Sequence, residues 1–154
     1  MASRGHSEPS DRKVVKVVSF GFKQGNPPHA NMLMDVRFLK NPYWVEELRA
    51  LTGLDFRVRN YVMEQEQAKD FLARLMELVS QVLPAMFSTK TAVFTVALGC
   101  TGGQHRSVSV AEALAQSLRE TYPEYDVHVS HREIDHHKSE SFDVVHHYSE
   151  GGVQ

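Results

Sequence analysis

The sequence predicts one α/β domain, built as a small, mostly parallel four-stranded sheet flanked by helices. Runs of β-branched and aromatic residues alternate with segments of helical period, and most connections between these runs are long enough for parallel crossovers. The chain has 154 residues, of which 42% are apolar and 23% are charged, a composition typical of one globular domain with its own core.

Four segments have the composition of β-strands. Residues 14–22 are rich in valine and phenylalanine, and residues 32–38 form a second, mixed run. The third segment, residues 91–98, is almost continuously apolar, which predicts a central strand covered on both faces and ended by Gly99. Residues 125–129 alternate between apolar and polar side chains and predict a final strand.

Two segments carry apolar residues at the i, i+3, i+4, i+7 spacing of an amphipathic helix. The first covers residues 64–83 and is expected to stop at Pro84, because proline lacks the N–H that a helix needs. The second covers residues 105–121 and leads from the third predicted strand to the fourth. Between the second strand and the first helix we expect short helices and loops, with Asp55 as a helix cap.

The ends of the chain offer little apolar surface. We therefore expect a disordered tail at residues 1–12, a folded domain at residues 13–137 and a histidine-rich flexible tail at residues 138–154. No apolar run approaches the roughly 18 to 20 residues that cross a bilayer, and no signal-peptide pattern is present, which predicts a cytoplasmic protein without a membrane partner. The single cysteine, Cys100, allows no intrachain disulfide.

Charge and histidine placement argue against two kinds of site. The formal net charge of -2 disfavours a strong nonspecific hold on nucleic acid. Six of the nine histidines lie from His128 onward, but neighbours such as His136 and His137, or His146 and His147, do not face one metal ion. We therefore predict no metal and no cofactor.

The strongest functional signal is the loop at residues 99–107, between the third predicted strand and the second predicted helix. In open α/β sheets this position lies at the carboxyl edge, where ligands bind. Glycines let successive amide N–H groups point at an anion, the helix adds its positive dipole end, and Arg106 adds a planar fork of donors. A glycine turn with a structural arginine is the alternative interpretation. The predicted ligand-binding residues of the loop are Cys100, Thr101, Gly102, Gly103, His105, Arg106 and Ser107.

Cys100 and Arg106 also have the spacing of cysteine-dependent phosphatases, in which five residues separate a nucleophilic thiolate from a phosphate-binding arginine. Loop amides and the helix N-terminus would activate Cys100, with Asp35 or His105 as the general acid. A buried structural cysteine is the alternative interpretation. The loop lacks the glycine spacing and the Lys-Ser/Thr pair of a Walker A loop, so it does not predict ATP binding.

Three further polar residues are expected at the same edge. If the first two strands run parallel to the third, Lys23, Asp35 and Arg37 end beside Cys100. The carboxylate would then hold a sugar hydroxyl or an amine while the cations hold phosphate. A structural ion pair of Asp35 with Arg37 or with Arg106 is the alternative.

Several stretches of the chain form a specific pattern when they are taken together in order. They are Ser19-Phe20-Gly21-Phe22-Lys23, Asp35-Val36-Arg37-Phe38-Leu39, Asn41-Pro42-Tyr43-Trp44, Leu51-Thr52-Gly53-Leu54-Asp55 and residues 99–108. Over residues 17–133 the chain resembles the C-terminal domain of RapZ, the RNase adapter protein family of bacteria. The resemblance implies a fold similar to a sugar-phosphate-binding subdomain, sensing of glucosamine-6-phosphate, and a part in delivering small RNA to a ribonuclease. The ligand contacts that it implies are Asp35, Cys100, Thr101, Gly102, His105 and Arg106.

The sequence departs from that family at three points. Tyr43 stands where the family often has a ligand-contacting histidine, so Tyr43 also belongs to the predicted site. The N-terminal Walker-type domain is not part of the sequence, and residues 132–138 are mixed in charge where the family has a basic segment that supports RNA contact. A homo-oligomer is plausible for the family, although no surface pattern identifies an interface.

These observations favour a non-catalytic sensor or adapter domain that binds a phosphorylated sugar or a related metabolite. A phosphatase that uses Cys100 and Arg106 is the first alternative, and an RNA-binding module is the second. The expected partners are a phosphorylated small molecule, by resemblance like glucosamine-6-phosphate, and in the adapter role a small RNA or a ribonuclease.

Overall fold

A computed structural model of the chain describes residues 12–134, so the rest of both predicted tails and the histidine pairs lie outside the described residues. The strands are β1 (Val14–Gly21), β2 (Met32–Asp35), β3 (Val93–Cys100) and β4 (Asp126–His131). The helices are α1 (Phe56–Met63), α2 (Glu66–Phe87) and α3 (Arg106–Thr121), and short 3-10 segments cover Phe22–Gln24, Pro42–Trp44 and Glu46–Leu48. Among the described residues, no helix has the length and apolar content needed to cross a bilayer.

All four strands run parallel in one sheet, in the order β2-β3-β1-β4. This arrangement confirms the predicted small parallel sheet flanked by helices. Val14 of β1 pairs with Val93 of β3 on one side and with Asp126 of β4 on the other. Every strand therefore ends at the same edge of the sheet, which is the edge where ligands bind in such folds.

The core lies on the face of the sheet that packs against the helices. Its buried side chains include Val15, Val17, Phe94, Val96, Leu83 and Leu114. The prediction that β3 is covered on both faces is wrong at its start, because Val93 is 42% exposed. Leu33 of β2, on the same outer face, is 40% exposed. A continuous apolar run predicts a strand, but it does not by itself determine how many layers cover that strand.

Helix α2 continues past Pro84 to Phe87, so the prediction that Pro84 stops the helix is wrong. Proline removes the N–H that would bind the carbonyl of Ser80, four residues earlier. The hydroxyl of Tyr122 lies 3.5 Å from that carbonyl and replaces the lost donor. Leu83 and Phe87 are both buried in the core, so burial of the last turn offsets the defect that Pro84 introduces.

Helix α1 is one of the short helices expected between the second strand and the long helix, although the sequence does not predict its bounds. The side chain of Asp55 accepts the N–H of Arg57 at 2.9 Å, which confirms Asp55 as a helix cap. Val58 and Val62 lie four residues apart and are the buried residues of this helix. Eight residues contain too few repeats for the helical period to be recognised.

Candidate anion-binding site

The loop at residues 99–107 is flanked by the ends of two neighbouring strands. On one side the N–H of Lys23, just after β1, donates to the carbonyl of Thr101 at 3.1 Å. On the other side the N–H of Val36, just after β2, donates to the carbonyl of Gly99 at 2.8 Å. Because β3 lies between β2 and β1, the three ends meet around one loop, as expected from the sequence.

Close backbone packing accounts for two glycines at this edge. A Cβ added to Gly21 would lie 2.5 Å from the carbonyl carbon of Gly102, so the end of β1 packs directly on the loop. Gly103 has a φ of 78°, and a Cβ there would lie 2.7 Å from the nitrogen of Gly21. These glycines are required by the turn itself, so anion binding has to be argued from the hydrogen-bond donors.

From Thr101 onward, the amides of the loop find no acceptor in the part of the chain that the structure describes. Within residues 12–134, the N–H groups of residues 101–108 donate no hydrogen bond to a backbone acceptor. The last of them belong to the N-terminus of α3, where no intrahelical acceptor exists and the helix dipole is positive. Gly102 and Gly103 are buried, and a buried donor that lacks an acceptor costs about 1–3 kcal/mol.

Arg106 is fixed at one nitrogen and leaves its other donors facing the loop. Its Nη1 donates to the carbonyls of Arg37 at 2.9 Å and Leu39 at 3.1 Å, and Nη2 lies 3.4 Å from Oγ1 of Thr101. Its Nε is buried and has no partner among the described residues. Burial lowers the pKa of Arg106, although a guanidinium stays charged at neutral pH. The Nε–Nη2 edge has the fork geometry that binds two oxygens of one anion.

Cys100 and Ser107 lie together at the floor of the loop. Cys100 is 2% exposed, and its Sγ–H donates to Oγ of Ser107 at 3.1 Å. The structure therefore brings the predicted nucleophile, its hydroxyl neighbour and Arg106 to one loop. It also buries Cys100, as the structural interpretation expects.

His105 is buried and turned towards the segment that follows the third 3-10 segment, Glu46–Leu48. Its Nε2 lies 3.3 Å from the carbonyl of Arg49, and burial lowers the pKa of His105 below its ordinary value. A neutral imidazole has one N–H and a carbonyl can only accept, so this N–H is directed at the segment of Arg49 and Leu51, whose carbonyls oppose the lowering of the pKa. Nδ1 has no hydrogen-bond partner within residues 12–134.

Asp35 and Arg37 form an ion pair beside the loop. Nη2 of Arg37 lies 2.6 Å from Oδ2 of Asp35, and Nε of Arg37 contacts both carboxylate oxygens. These hydrogen bonds hold the pKa of Asp35 below its ordinary value, and the charge of Arg106 lowers it further. The Arg37 guanidinium also stacks over the ring of Phe22, with its carbon 4.2 Å from the ring centre. Of the two predicted ion pairs, the structure contains the one with Arg37.

Lys23 and Tyr43 are less directly connected to the loop. Lys23 contacts it through its backbone, and its side chain is exposed. The Tyr43 ring packs against Trp44 and lies under the guanidinium of Arg49, whose carbonyl faces His105. Arg49 was not predicted as a site residue, because it contacts His105 from 56 positions away and no local spacing indicates such a contact.

A separate cavity of about 630 Å³ lies between the 3-10 segments and α1. Its walls include Lys40, Leu48, Arg57, Tyr61 and Gln65. None of the predicted site residues lines this cavity, so it is distinct from the loop at the sheet edge.

Comparison with known proteins identifies the family. The model of the RapZ C-terminal domain matches residues 13–135. The chain belongs to the RapZ C-terminal domain family. This confirms the resemblance found in the sequence, and the glycine- and arginine-containing loop lies inside the matched region.

Two relatives show how much of a longer protein this RapZ C-terminal domain represents. A nucleotide-binding protein of Lactobacillus delbrueckii subsp. bulgaricus is 50% identical over 120 residues, which cover 78% of this chain and 40% of that protein. A nucleotide-binding protein of Bacillus cytotoxicus is 45% identical over 124 residues, which cover 80% of this chain and 41% of that protein. The chain thus spans about two fifths of the length of the curated relatives it matches.

Proposed function

We propose that this domain is a non-catalytic binding module for a phosphorylated small molecule, with phosphosugars as the ligand class. The observation that carries the proposal is a group of donors that find no acceptor within residues 12–134, formed by the amides of residues 101–108 and Nε of Arg106, with Nη2 of Arg106 beside them at 3.4 Å from Oγ1 of Thr101. A phosphate monoester offers terminal oxygens that only accept and that carry negative charge. Such a group satisfies buried donors and matches the positive end of α3.

Asp35 supports a ligand that carries a donor as well as a phosphate. Its carboxylate is ionised, 44% exposed and adjacent to the loop, so it can accept from a hydroxyl or an amino group. Family membership supports a ligand like glucosamine-6-phosphate. The relatives are named nucleotide-binding proteins, which supports a nucleotide phosphate instead. The match covers only part of those longer proteins, so their name does not assign the nucleotide to this domain, and both ligands are compared in one test.

A cysteine-dependent phosphatase is the second candidate, favoured by the position of Cys100 at the floor of a loop that ends in Arg106. The predicted general acids fit this role poorly. Asp35 is held ionised by its ion pair, and His105 is neutral with its single N–H directed at the segment of Arg49. A bound ester would lack a donor that protonates its leaving group, which supports binding over turnover.

An adapter role towards a small RNA or a ribonuclease is the finer part of the proposal and rests on family membership. The formal net charge of -2 provides no general attraction for RNA, so an RNA partner would be held through few phosphate contacts. Gel shifts at low salt test this role, and the absence of any binding there would contradict it. We propose that the domain acts in the cytoplasm, and that it self-associates as other family members are expected to do.

Thermal unfolding with added ligand tests the binding proposal. Glucosamine-6-phosphate, nucleotides and inorganic phosphate are compared, and a ligand at about 100 times its Kd stabilises the fold by about 2.7 kcal/mol. Arg106→Ala is expected to abolish the rise in Tm, and Cys100→Ser is expected to keep most of it. Arg119→Ala is the matched control, because Arg119 also donates to a backbone carbonyl, that of Val127 at 3.2 Å. A wild type that responds to none of these ligands contradicts the proposal.

Turnover of an aryl phosphate separates the two candidates. An aryl leaving group needs little protonation, so a Cys100-dependent phosphatase would hydrolyse it even without a general acid. We expect no turnover across about pH 5 to 8. Hydrolysis that disappears in Cys100→Ser would establish the phosphatase instead.

A further inference from the structure

The end of β4 also reaches the site, through the two residues that directly follow this strand, Arg132 and Glu133. Glu133 is 6% exposed. Its Oε2 accepts the N–H of Gly21 at 2.9 Å and the Nε–H of Arg132 at 2.8 Å. A buried carboxylate therefore joins the end of β4 to the end of β1.

The guanidinium of Arg132 holds the turn that follows β1. It donates to the carbonyls of Gly21 at 3.4 Å, Gln24 at 3.3 Å and Asn26. The same turn contains Lys23, whose N–H donates to the carbonyl of Thr101 in the loop at residues 99–107, here called the anion loop. Arg132 thus fixes one of the two strand ends that flank the loop.

Glu133 also packs on the anion loop itself. A Cβ on Gly103 would overlap Cγ of Glu133, so this side chain crosses directly over Gly103. Gly103 adopts a φ of 78°, and that conformation sets the direction of the amides on either side of it. The contact therefore constrains the residues whose N–H groups form the donor set.

The end of β4 is itself anchored, so Arg132 and Glu133 start from a defined position. Nδ1 of His131 lies 2.7 Å from Oγ of Ser19 in β1, and its Nε2 lies 2.7 Å from Oε2 of Glu112 in α3. Electrostatics make the placement of Glu133 notable, because a carboxylate beside an anion site opposes anion binding. The contacts of Glu133 with the backbone of Gly21 and with Gly103 are therefore explained by positioning rather than by attraction of the anion.

We propose that Arg132 and Glu133 are positioning residues of the anion loop, and that anion binding and the placement of residues 132–134 regulate each other. The proposal rests on the proposed function, because it concerns the same loop. Binding at the loop stabilises the Glu133–Gly21 contact, and any displacement of residues 132–134 weakens binding by the same factor, since coupling between two sites is reciprocal.

The test measures the Kd of inorganic phosphate by titrating the isotope-labelled full chain and following its amide resonances. Glu133→Ala and Arg132→Ala are expected to weaken phosphate binding by about fivefold or more. Glu133→Gln is expected to bind phosphate at least as tightly as the wild type, because its amide oxygen can still accept the N–H of Gly21 and the variant removes a negative charge beside the site. Arg12→Ala is the matched control: Arg12 donates to the carbonyls of Pro123 and Glu124 and pairs with Asp126, at the opposite end of β4.

Hydrogen exchange provides a second readout that needs no variant. Saturating phosphate is expected to slow exchange of the Gly21 N–H in the wild type, and unchanged exchange overturns the inference even if an alanine variant fails to fold. Folded Glu133→Ala and Arg132→Ala chains that bind phosphate as tightly as the wild type also overturn it, while the proposed function stands. A wild type that does not bind inorganic phosphate overturns this inference, and the proposed function falls with it only if glucosamine-6-phosphate and nucleotides fail to bind as well.

Discussion

Replacement of Gly103 by alanine separates two contributions to the geometry of the anion loop. Its φ of 78° is left-handed, and an L-residue in that conformation loses about 1–2 kcal/mol. The new Cβ would also lie 2.7 Å from the nitrogen of Gly21 and would overlap Cγ of Glu133. Overpacking of this kind costs about 1–3 kcal/mol. The sum predicts that Gly103→Ala lowers the free energy of unfolding by about 2–5 kcal/mol.

Gly25→Ala is the matched control for Gly103→Ala. Gly25 has a φ of 111°, but no heavy atom lies within 4 Å of its added Cβ, so this variant carries backbone strain without a clash. Urea unfolding of both variants at neutral pH measures the two losses of stability. Gly25 has a ψ of -172°, a backbone conformation essentially restricted to glycine, so Gly25→Ala shows how large strain without a clash can be. Gly103→Ala should also weaken phosphate binding. A loss in Gly103→Ala that does not exceed about 1–2 kcal/mol, the backbone strain alone, would refute close packing of β1, the loop and Glu133.

Two further predictions concern an ion pair and a helix. The pKa of Asp35 is lower in the folded state than its ordinary value of 3.8. Its ion pair with Arg37 therefore stabilises the fold fully above that pH, and this contribution is lost as the pH falls through the folded pKa. The difference in urea midpoint between wild type and Asp35→Asn should therefore be present at neutral pH and shrink below about pH 4, and a pH-independent difference would contradict the assignment. Pro84→Ala should raise the Tm, because it restores the N–H for the carbonyl of Ser80. Tyr122→Phe should lower the free energy of unfolding by about 0.5–1.5 kcal/mol in the wild type. The same substitution should cost less in the Pro84→Ala background, where the carbonyl of Ser80 has its backbone donor again. Equal effects of Tyr122→Phe in the two backgrounds would show that the hydroxyl does not replace the missing donor.

Local patterns predicted the parts of this fold that depend on neighbouring residues. The apolar run of β3, the glycines that follow it and Arg106 lie close together in the chain, so the strand, the turn and the donor set could be inferred together. Asp55 was predicted as a cap for the same reason, since a cap acts within one helical turn. The parallel edge then followed from the length of the crossovers.

Contacts between distant parts of the chain could not be predicted in this way. Glu133 meets Gly21 across 112 positions, and nothing near Glu133 in the sequence indicates that its carboxylate is buried. Pro84 presents the same difficulty, because the hydroxyl that replaces its missing N–H comes from Tyr122, 42 positions from the carbonyl that it serves. Strand order decides the first contact and the packing of α2 against the end of α3 decides the second, and both are properties of the whole fold.

Arg106 shows why a structural role and a binding role need not compete. Its Nη1 is held by the carbonyls of Arg37 and Leu39, and this is the structural arginine that the turn interpretation expects. The same two hydrogen bonds immobilise a side chain that would otherwise lose rotamer entropy when it binds a ligand. With the guanidinium already oriented, its Nε–Nη2 edge would bind an anion without that loss, and preorganisation of this kind increases affinity. A lysine at this position could not divide its donors in the same way, so Arg106→Lys should lose phosphate binding although it keeps the positive charge.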